Sequence, residues 1–254
     1  MKEQLADSFI LTIDRGNTRI KVSLCDGFHR VDGIFLSDFR LGEVIDFCKG
    51  HTLQGAVCCS VGRVFDSAIV ADLRSALGVD VLNIDHSTPL PIEVEYASPA
   101  SLGLDRVAAA AGAAALFPGC AVLVADAGTA LTLDLVDANA VFRGGNISPG
   151  LGMRLRAMHE FTVSLPQVAV DGDVPLFGYD TSTAMRAGAI RGMASEISGA
   201  FAAGRCLGVS DLLLCGGDAD TIFPFLDIPD SSPHIVAHLL EAGLVSIFKH
   251  NLSL

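Results

Sequence analysis

Apolar and polar positions along this chain change their period several times, and each change marks an element. Leu11–Ile13 is an apolar run, Asp14-Arg15-Gly16-Asn17-Thr18 is polar, and apolar residues alternate again from Ile20 to Leu24. That pattern predicts two strands joined by a tight turn, a β-hairpin. His29–Phe35 predicts a third, shorter strand. Leu41, Val44, Ile45 and Cys48 follow helical spacing, and Gly55–Ser60 is a short apolar run ending in small residues. Phe65–Leu77 returns to the helical period, with Gly78 placed to end the helix, and Val79–Ile84 predicts a further strand. The first half therefore reads βββαβαβ, an α/β arrangement with a mixed sheet.

From His86 to Pro99 the chain is punctuated by Pro89, Pro91 and Pro99, which predicts an irregular segment. Ser101 is placed to cap an alanine-rich helix running to Phe117. This helix is expected to join two lobes, residues 1–117 and 118–254. Val122–Val136 then predicts a second hairpin, and Gly144-Gly145 with Pro149-Gly150 marks a turn where backbones approach closely. Leu151–Phe161 reads as a helix and Thr162–Gly178 as irregular. A long helix follows to about Ala203, capped by Thr181 or Ser182; its Gly188, Gly192 and Gly199 suit tight packing on a partner helix. Asp211–Cys215 is a buried strand ending in Gly216-Gly217, and Pro233–Leu254 closes the chain as a helix.

The two hairpins carry the same chemistry. Asp14 and Gly16 of the first correspond to Asp126 and Gly128 of the second, and each turn continues into a threonine, Thr18 or Thr129. Such turns can wrap phosphate oxygens with backbone N–H groups while the aspartate holds a cation. A single such turn is a weak signal; the repeat implies a duplicated domain with a nucleotide clamped between related halves. A strand end followed by two glycines, as at Cys215-Gly216-Gly217, lets a nucleotide lie against bare backbone. Phosphoryl transfer then needs positioning, charge neutralisation and a proton acceptor. Asp105, a carboxylate after Gly103 at a helix start, is the candidate acceptor. A helix N-terminus alone also favours an aspartate there, and a salt bridge would equally explain Arg106.

Composition narrows the classes. Half the 254 residues are hydrophobic, which excludes a disordered chain. A formal net charge of -12 argues against a nucleic-acid or anionic-membrane surface as the main partner. An anionic substrate requires local cations, for which Lys21 and Arg106 are placed near the motifs. Seven scattered cysteines without a C-x-x-C spacing read as buried cytoplasmic thiols, not as disulfides or a zinc site. The polar N-terminus shows no signal peptide, and Pro118-Gly119 splits the one apolar stretch that could suggest a membrane span. No G-x-G-x-x-G follows a strand, so a Rossmann dehydrogenase is excluded. His234 and His238 sit four apart on the expected last helix but lack a third zinc ligand, and read as a solvated or core face.

The order Asp14-x-Gly16-Asn17-Thr18-x-x-Lys21, Tyr96-x-x-Pro99-x-x-x-Gly103-x-Asp105-Arg106, Asp126-x-Gly128-Thr129 and Gly144-Gly145-x-Ile147-x-Pro149-Gly150 resembles the type III pantothenate kinase family. The likeness continues through His159-x-x-Thr162-x-x-Leu165-Pro166, Thr181 and Gly216-Gly217, and so spans nearly the whole chain. It implies duplicated actin-like (ribonuclease H-like) domains and transfer of a phosphoryl group from ATP to the primary hydroxyl of pantothenate, in coenzyme A biosynthesis. On this resemblance Asp14, Arg15, Gly16, Asn17, Thr18 and Lys21 form the first phosphate loop, Asp14 serving Mg²⁺ indirectly. Gly128, Thr129, Gly216 and Gly217 meet ATP, and Asp126 marks a site for K⁺ or NH₄⁺. Tyr96, Gly103, Leu104, Asp105, Arg106 and Thr181 line the pantothenate pocket, Asp105 being the proton acceptor. The family is dimeric with the pocket completed across the interface, and cytoplasmic. Ala127 and Asp180 depart from the family's usual larger apolar residue and asparagine. A non-catalytic regulatory relative and another small-molecule kinase of the same fold are the alternatives.

Overall fold

The computed structural model describes residues 8–16, 18–61, 65–228 and 233–253. These divide into two compact units: residues 1–118, 140–142 and 238–254 form unit 1, and residues 119–139 and 143–237 form unit 2. A cut at 117/118 leaves the last helix with the second half in sequence, but by contact that helix belongs to unit 1.

Unit 1 opens with β1 (Ser8–Arg15), β2 (Ile20–Asp26), β3 (His29–Leu36), α1 (Leu41–Cys48), β4 (Thr52–Ser60), α2 (Ser67–Leu77) and β5 (Val81–Asn83), in the βββαβαβ order expected. The strands lie in the order β3-β2-β1-β4-β5, with β1 antiparallel to β2 and parallel to β4. One face is closed by α1 and α2 over Leu11, Ile13, Val22, Leu24, Val44 and Leu73. Helix α2 begins at Ser67, not Phe65, and Asp66 caps it: its carboxylate accepts the Ala68 N–H at 2.8 Å. Gly78 ends α2 in the left-handed region at φ 67°, where a side chain would be strained.

Next come β6 (Glu93–Val94), a 3₁₀ turn at Pro99–Ser101, and α3 (Leu104–Leu116); the chain returns to this unit in α7 (Leu239–Leu252). Ser101 does not cap α3. It lies in the 3₁₀ turn, its hydroxyl donates to the Ser98 carbonyl at 2.8 Å, and Gly103 holds the cap position. The alanine-rich helix is buried, as its composition implies, because α3 and α7 cross at backbone distance. A Cβ on Gly112 would stand 2.2 Å from the Leu239 carbonyl oxygen, and one on Gly243 would stand 1.7 Å from that of Ala108.

Unit 2 contains β7 (Val122–Ala127), β8 (Ala130–Val136), β9 (Val141–Pro149, its first residues in unit 1), α4 (Leu151–Glu160), α5 (Thr181–Arg205), β10 (Asp211–Cys215), α6 (Ala219–Ile222) and β11 (His234–Ile235). The strand order β9-β8-β7-β10-β11 repeats that of unit 1 position for position, so the duplication read from the hairpins extends to the whole sheet. Leu123, Ala125, Leu131 and Leu133 pack against Ile190, Met193, Ala194 and Ile197 of α5. Glu93 and Val94 of β6 run parallel to Val141 and Phe142 at the start of β9.

Several expectations need correction here. Residues 144–149 continue strand β9 instead of turning, although the close approach at Gly150 is present. The cap of α5 is Asp180, not Thr181 or Ser182: Asp180 accepts the Thr183 N–H at 2.7 Å, and the Thr183 hydroxyl reaches back to the Asp180 amide. Gly188 and Gly199 face open space and Gly192 faces the Arg154 guanidinium, so these glycines serve no helix contact among the described residues. His234 and His238 are not on one helix. His234 lies in β11 with Nε2 3.1 Å from Asp211, and His238 precedes α7. Among the described residues no cluster of three or more metal-binding side chains is present, and no helix is long and apolar enough to cross a membrane.

Candidate active site

In unit 1 the first turn follows β1 and leads into β2; Asn17 of the expected phosphate loop lies outside the described residues. The hairpin register sets Asp14 opposite Lys21, and the parallel register with β4 sets it opposite Cys59. Residues directly opposite share a sheet face, so Asp14, Lys21 and Cys59 lie on the side away from the Leu11–Leu73 core. Gly16 donates to the Arg19 carbonyl at 3.1 Å, closing the turn, and Thr18 is exposed at its tip. Arg15 stacks over Phe65, 4.9 Å from the ring centre, which ties it to the α2 side of the sheet.

Asp105 is in the first turn of α3, and its Oδ1 accepts the Arg106 N–H at 2.9 Å. The carboxylate folds back over Gly103: a Cβ there would stand 2.4 Å from Oδ1, so the glycine makes room for the aspartate. Burial pushes the Cys59 thiol well above its usual range, and the negative charges of Asp14 and Asp105 push it further. One thiol thus feels both carboxylates, which brings the expected phosphate turn and the expected proton acceptor to one neighbourhood within unit 1.

Tyr96 and Arg106, expected to line one pocket, meet through Phe142, which no sequence motif singled out. The Phe142 ring lies 6.0 Å from that of Tyr96, edge to face, and 5.5 Å from the Arg106 guanidinium. Arg106 is only 6 % exposed. Phe142 reaches it because β9 begins beside β6, a two-residue strand in a proline-rich segment whose pairing no local pattern announces. Leu104 is buried beside them, whereas Thr181, the first residue of α5, is exposed in unit 2.

In unit 2 the second turn is tighter. Gly128 donates to the Ala130 carbonyl at 3.1 Å, Gly150 to that of Thr129 at 3.2 Å, and Asp218 to that of Ala127 at 2.9 Å. The first turn of α4 thereby abuts the Gly-Thr loop; a Cβ on Gly150 would stand 2.2 Å from the Gly128 carbonyl oxygen. Gly216, at φ 91°, lies so close to the turn that a Cβ would stand 2.4 Å from both the Ala127 carbonyl oxygen and Asp126 Oδ1. The glycine therefore lets the strand end pack directly on the turn, beside the Asp126 carboxylate and the Ala127 carbonyl. Gly217 beside it is exposed.

Two like-ordered mixed sheets with helices, each carrying an Asp-Gly-Thr turn, define the duplicated fold of the actin-like ATPase class. Solved structures agree on the fold: a Baf family transcriptional activator from Campylobacter jejuni (TM-score 0.59, 19% identity, 96% of this chain and 100% of that one) and a ROK hexokinase from Thermus thermophilus (0.51, 13%, 96% and 99%). The sequence model of the family described as type III pantothenate kinase matches residues 10–203. A type III pantothenate kinase from Bacteroides fragilis is 42% identical over 193 residues, 76% of this chain and 79% of that protein. The chain belongs to the type III pantothenate kinase family.

Proposed function

We propose that this protein transfers the γ-phosphoryl group of ATP to the primary hydroxyl of pantothenate, forming 4'-phosphopantothenate and ADP, the first step of coenzyme A biosynthesis. The observation that carries the reading is the register that sets Asp14 opposite Lys21 at the first turn, in a chain of this family. Asp105 takes the hydroxyl proton as the oxygen attacks the γ-phosphorus, and the bond to the β,γ-bridging oxygen breaks to release ADP. A loose transition state makes that proton acidic late, so a carboxylate suffices as acceptor. Gly16, Thr18 and Lys21 of unit 1 bind phosphate oxygens, as do Gly128 and Thr129 of unit 2; Gly216 and Gly217 lie along the nucleotide. Tyr96, Gly103, Leu104 and Arg106 hold pantothenate, with Phe142 ordering the Tyr96 ring and the Arg106 guanidinium.

Asp14 would hold Mg²⁺ indirectly and Asp126 would hold a monovalent cation, and such ions would neutralise phosphate charge. The exposed Phe161, Val163, Leu176, Phe177 and Tyr179 support a homodimer, with Thr181 beside that surface in sequence. The segment that carries three of them is fixed to α5. Arg186 donates to the carbonyls of Ala169 and Asp173 at 3.0 and 3.1 Å, and Arg191 to those of Pro175 and Val174 at 2.9 and 3.0 Å. Seven free cysteines support a cytoplasmic setting. The test is ATP-dependent phosphorylation of pantothenate by purified protein, with and without K⁺. No product under either condition would favour a non-catalytic role or another alcohol as substrate.

A further inference from the structure

Lys21, the cation two residues beyond the first turn's Arg19, does not stand by itself. Its Nζ lies 2.5 Å from Glu241 Oε1, on the first turn of α7. The same oxygen accepts from the Ser23 hydroxyl at 3.4 Å and lies 3.6 Å from His238 Nδ1. All four residues are within unit 1. The Glu241 side chain is 1% exposed and that of Lys21 is 21% exposed. Such a carboxylate is placed in a core only at a cost of several kcal/mol unless it is well compensated. Burial pushes its pKa up, but the His238 imidazole, the Lys21 ammonium and the helix-start amide outweigh that and bring it down to about 2. Its other oxygen, Oε2, is buried and accepts no hydrogen bond. Its side-chain partners Lys21, Ser23 and His238 therefore all converge on the one oxygen Oε1.

The register gives this pair a functional direction. Lys21 is opposite Asp14 and Ser23 is opposite Thr12, so a polar row runs along one face of the hairpin from the phosphate turn down to Glu241. A flexible lysine stem carries much rotamer entropy, which a loose side chain loses on meeting a phosphate. An ammonium has three donors, so one bond to Glu241 leaves others for a polyphosphate.

We infer that Glu241 is a positioning residue for ATP: it anchors the Lys21 ammonium beside the first turn before the nucleotide arrives. It touches no substrate itself and acts through Lys21. The inference rests on the reading of Lys21 as a phosphate-binding residue of an ATP-dependent kinase.

The test is Glu241→Gln in the full-length protein, with ATP binding followed by calorimetry in the absence of pantothenate and with steady-state kinetics for both substrates. The Kd and KM for ATP should rise about tenfold, because a displaced binding group costs that much or more. The KM for pantothenate should stay within about twofold. A purely structural Glu241 would lower the folded fraction and hence the maximal rate but leave the KM for ATP unchanged, and that result would overturn the inference. Should Glu241→Gln fail to fold, Glu241→Asp decides: it keeps the charge but draws it back by one methylene. It should raise the Kd for ATP severalfold, and an unchanged value would overturn the proposal. Ser23→Ala, which removes a neutral contact only, should leave the Kd for ATP as it is. Wild-type protein that binds ATP without phosphorylating pantothenate would sink the substrate assignment while Glu241→Gln still decides this inference. Wild-type protein that binds no ATP would sink both.

Discussion

The hairpins β1–β2 and β7–β8 share one backbone plan, and they differ in what stands around their aspartates. Across the parallel neighbour both aspartates meet a cysteine, Asp14 with Cys59 and Asp126 with Cys215. Across the hairpin they part: Asp14 faces Lys21, whereas Asp126 faces Thr132. The strand ends differ too. After Cys59 comes Ser60, buried and with room for its side chain, while after Cys215 comes Gly216, where a side chain would strike the turn. The first copy has thus gathered side chains with charge: Lys21, Glu241 and, beside the same thiol, Asp105. The second has kept bare backbone and carbonyl oxygens. Duplication supplied one scaffold, and the two copies divided the work between charged side chains and peptide groups.

The largest effect expected from breaking this division is in unit 1. Asp105→Asn keeps the shape but removes the proposed proton acceptor, and kcat should fall by about 10²- to 10⁴-fold while ATP still binds. Near-normal turnover would end the assignment. Arg106→Ala should raise the KM for pantothenate more than that for ATP; equal losses would mean that Arg106 serves the nucleotide or the fold.

Acid should separate the copies next. The Glu241 carboxyl titrates near 2 in the folded protein against an ordinary 4.5, so its stabilising contribution is complete above pH 4.5 and is lost as pH falls towards 2. The shift corresponds to about 3 kcal/mol. In Glu241→Gln this part of the acid dependence should vanish, which denaturant titrations at pH 5 and pH 3 would read. An unchanged slope would mean that the pair contributes nothing to folding.

Gly216→Ala tests the bare-backbone side. The methyl group would meet two oxygens at 2.4 Å and sit at φ 91°, so about 1–3 kcal/mol of stability should be lost, with weaker ATP binding. Ser60→Ala, at the matching strand end, should change far less. The smallest effect belongs to Asp180→Ala, which removes the α5 cap and should lower Tm by a few degrees; Asp180→Asn should restore it. An unaltered Tm in Asp180→Ala would show the cap to be dispensable.

What was legible locally was legible well. Strands β1, β2, β4 and β10 and helices α1 and α4 lie where apolar runs and helical spacing put them, because the strands are buried on both faces over several residues and each helix buries one face. Caps were misread where several residues could serve. Ser101, Thr181 and Ser182 are all good caps by type, and only the backbone entering each helix decided for Gly103 and Asp180. The terminal helix, expected from Pro233, begins only at Leu239, since His234 and Ile235 pair with Leu213 and Leu214 instead of coiling.

The candidate site divides along the same line. Sequence alone determined the two Asp-Gly-Thr turns, the Gly-Gly strand end and the Gly103-Leu104-Asp105-Arg106 helix start, because a turn or a helix start is written in a few adjacent residues. Tertiary structure alone decided that Phe142 stands between Tyr96 and Arg106, that Asp14 and Asp105 share Cys59, and that Lys21 is held by Glu241. Those pairs are far apart in the chain, and the force that joins them is the need to bury α3 and α7 against the first sheet and to pair the start of β9 with β6. Burial has no period that a single stretch of sequence can show.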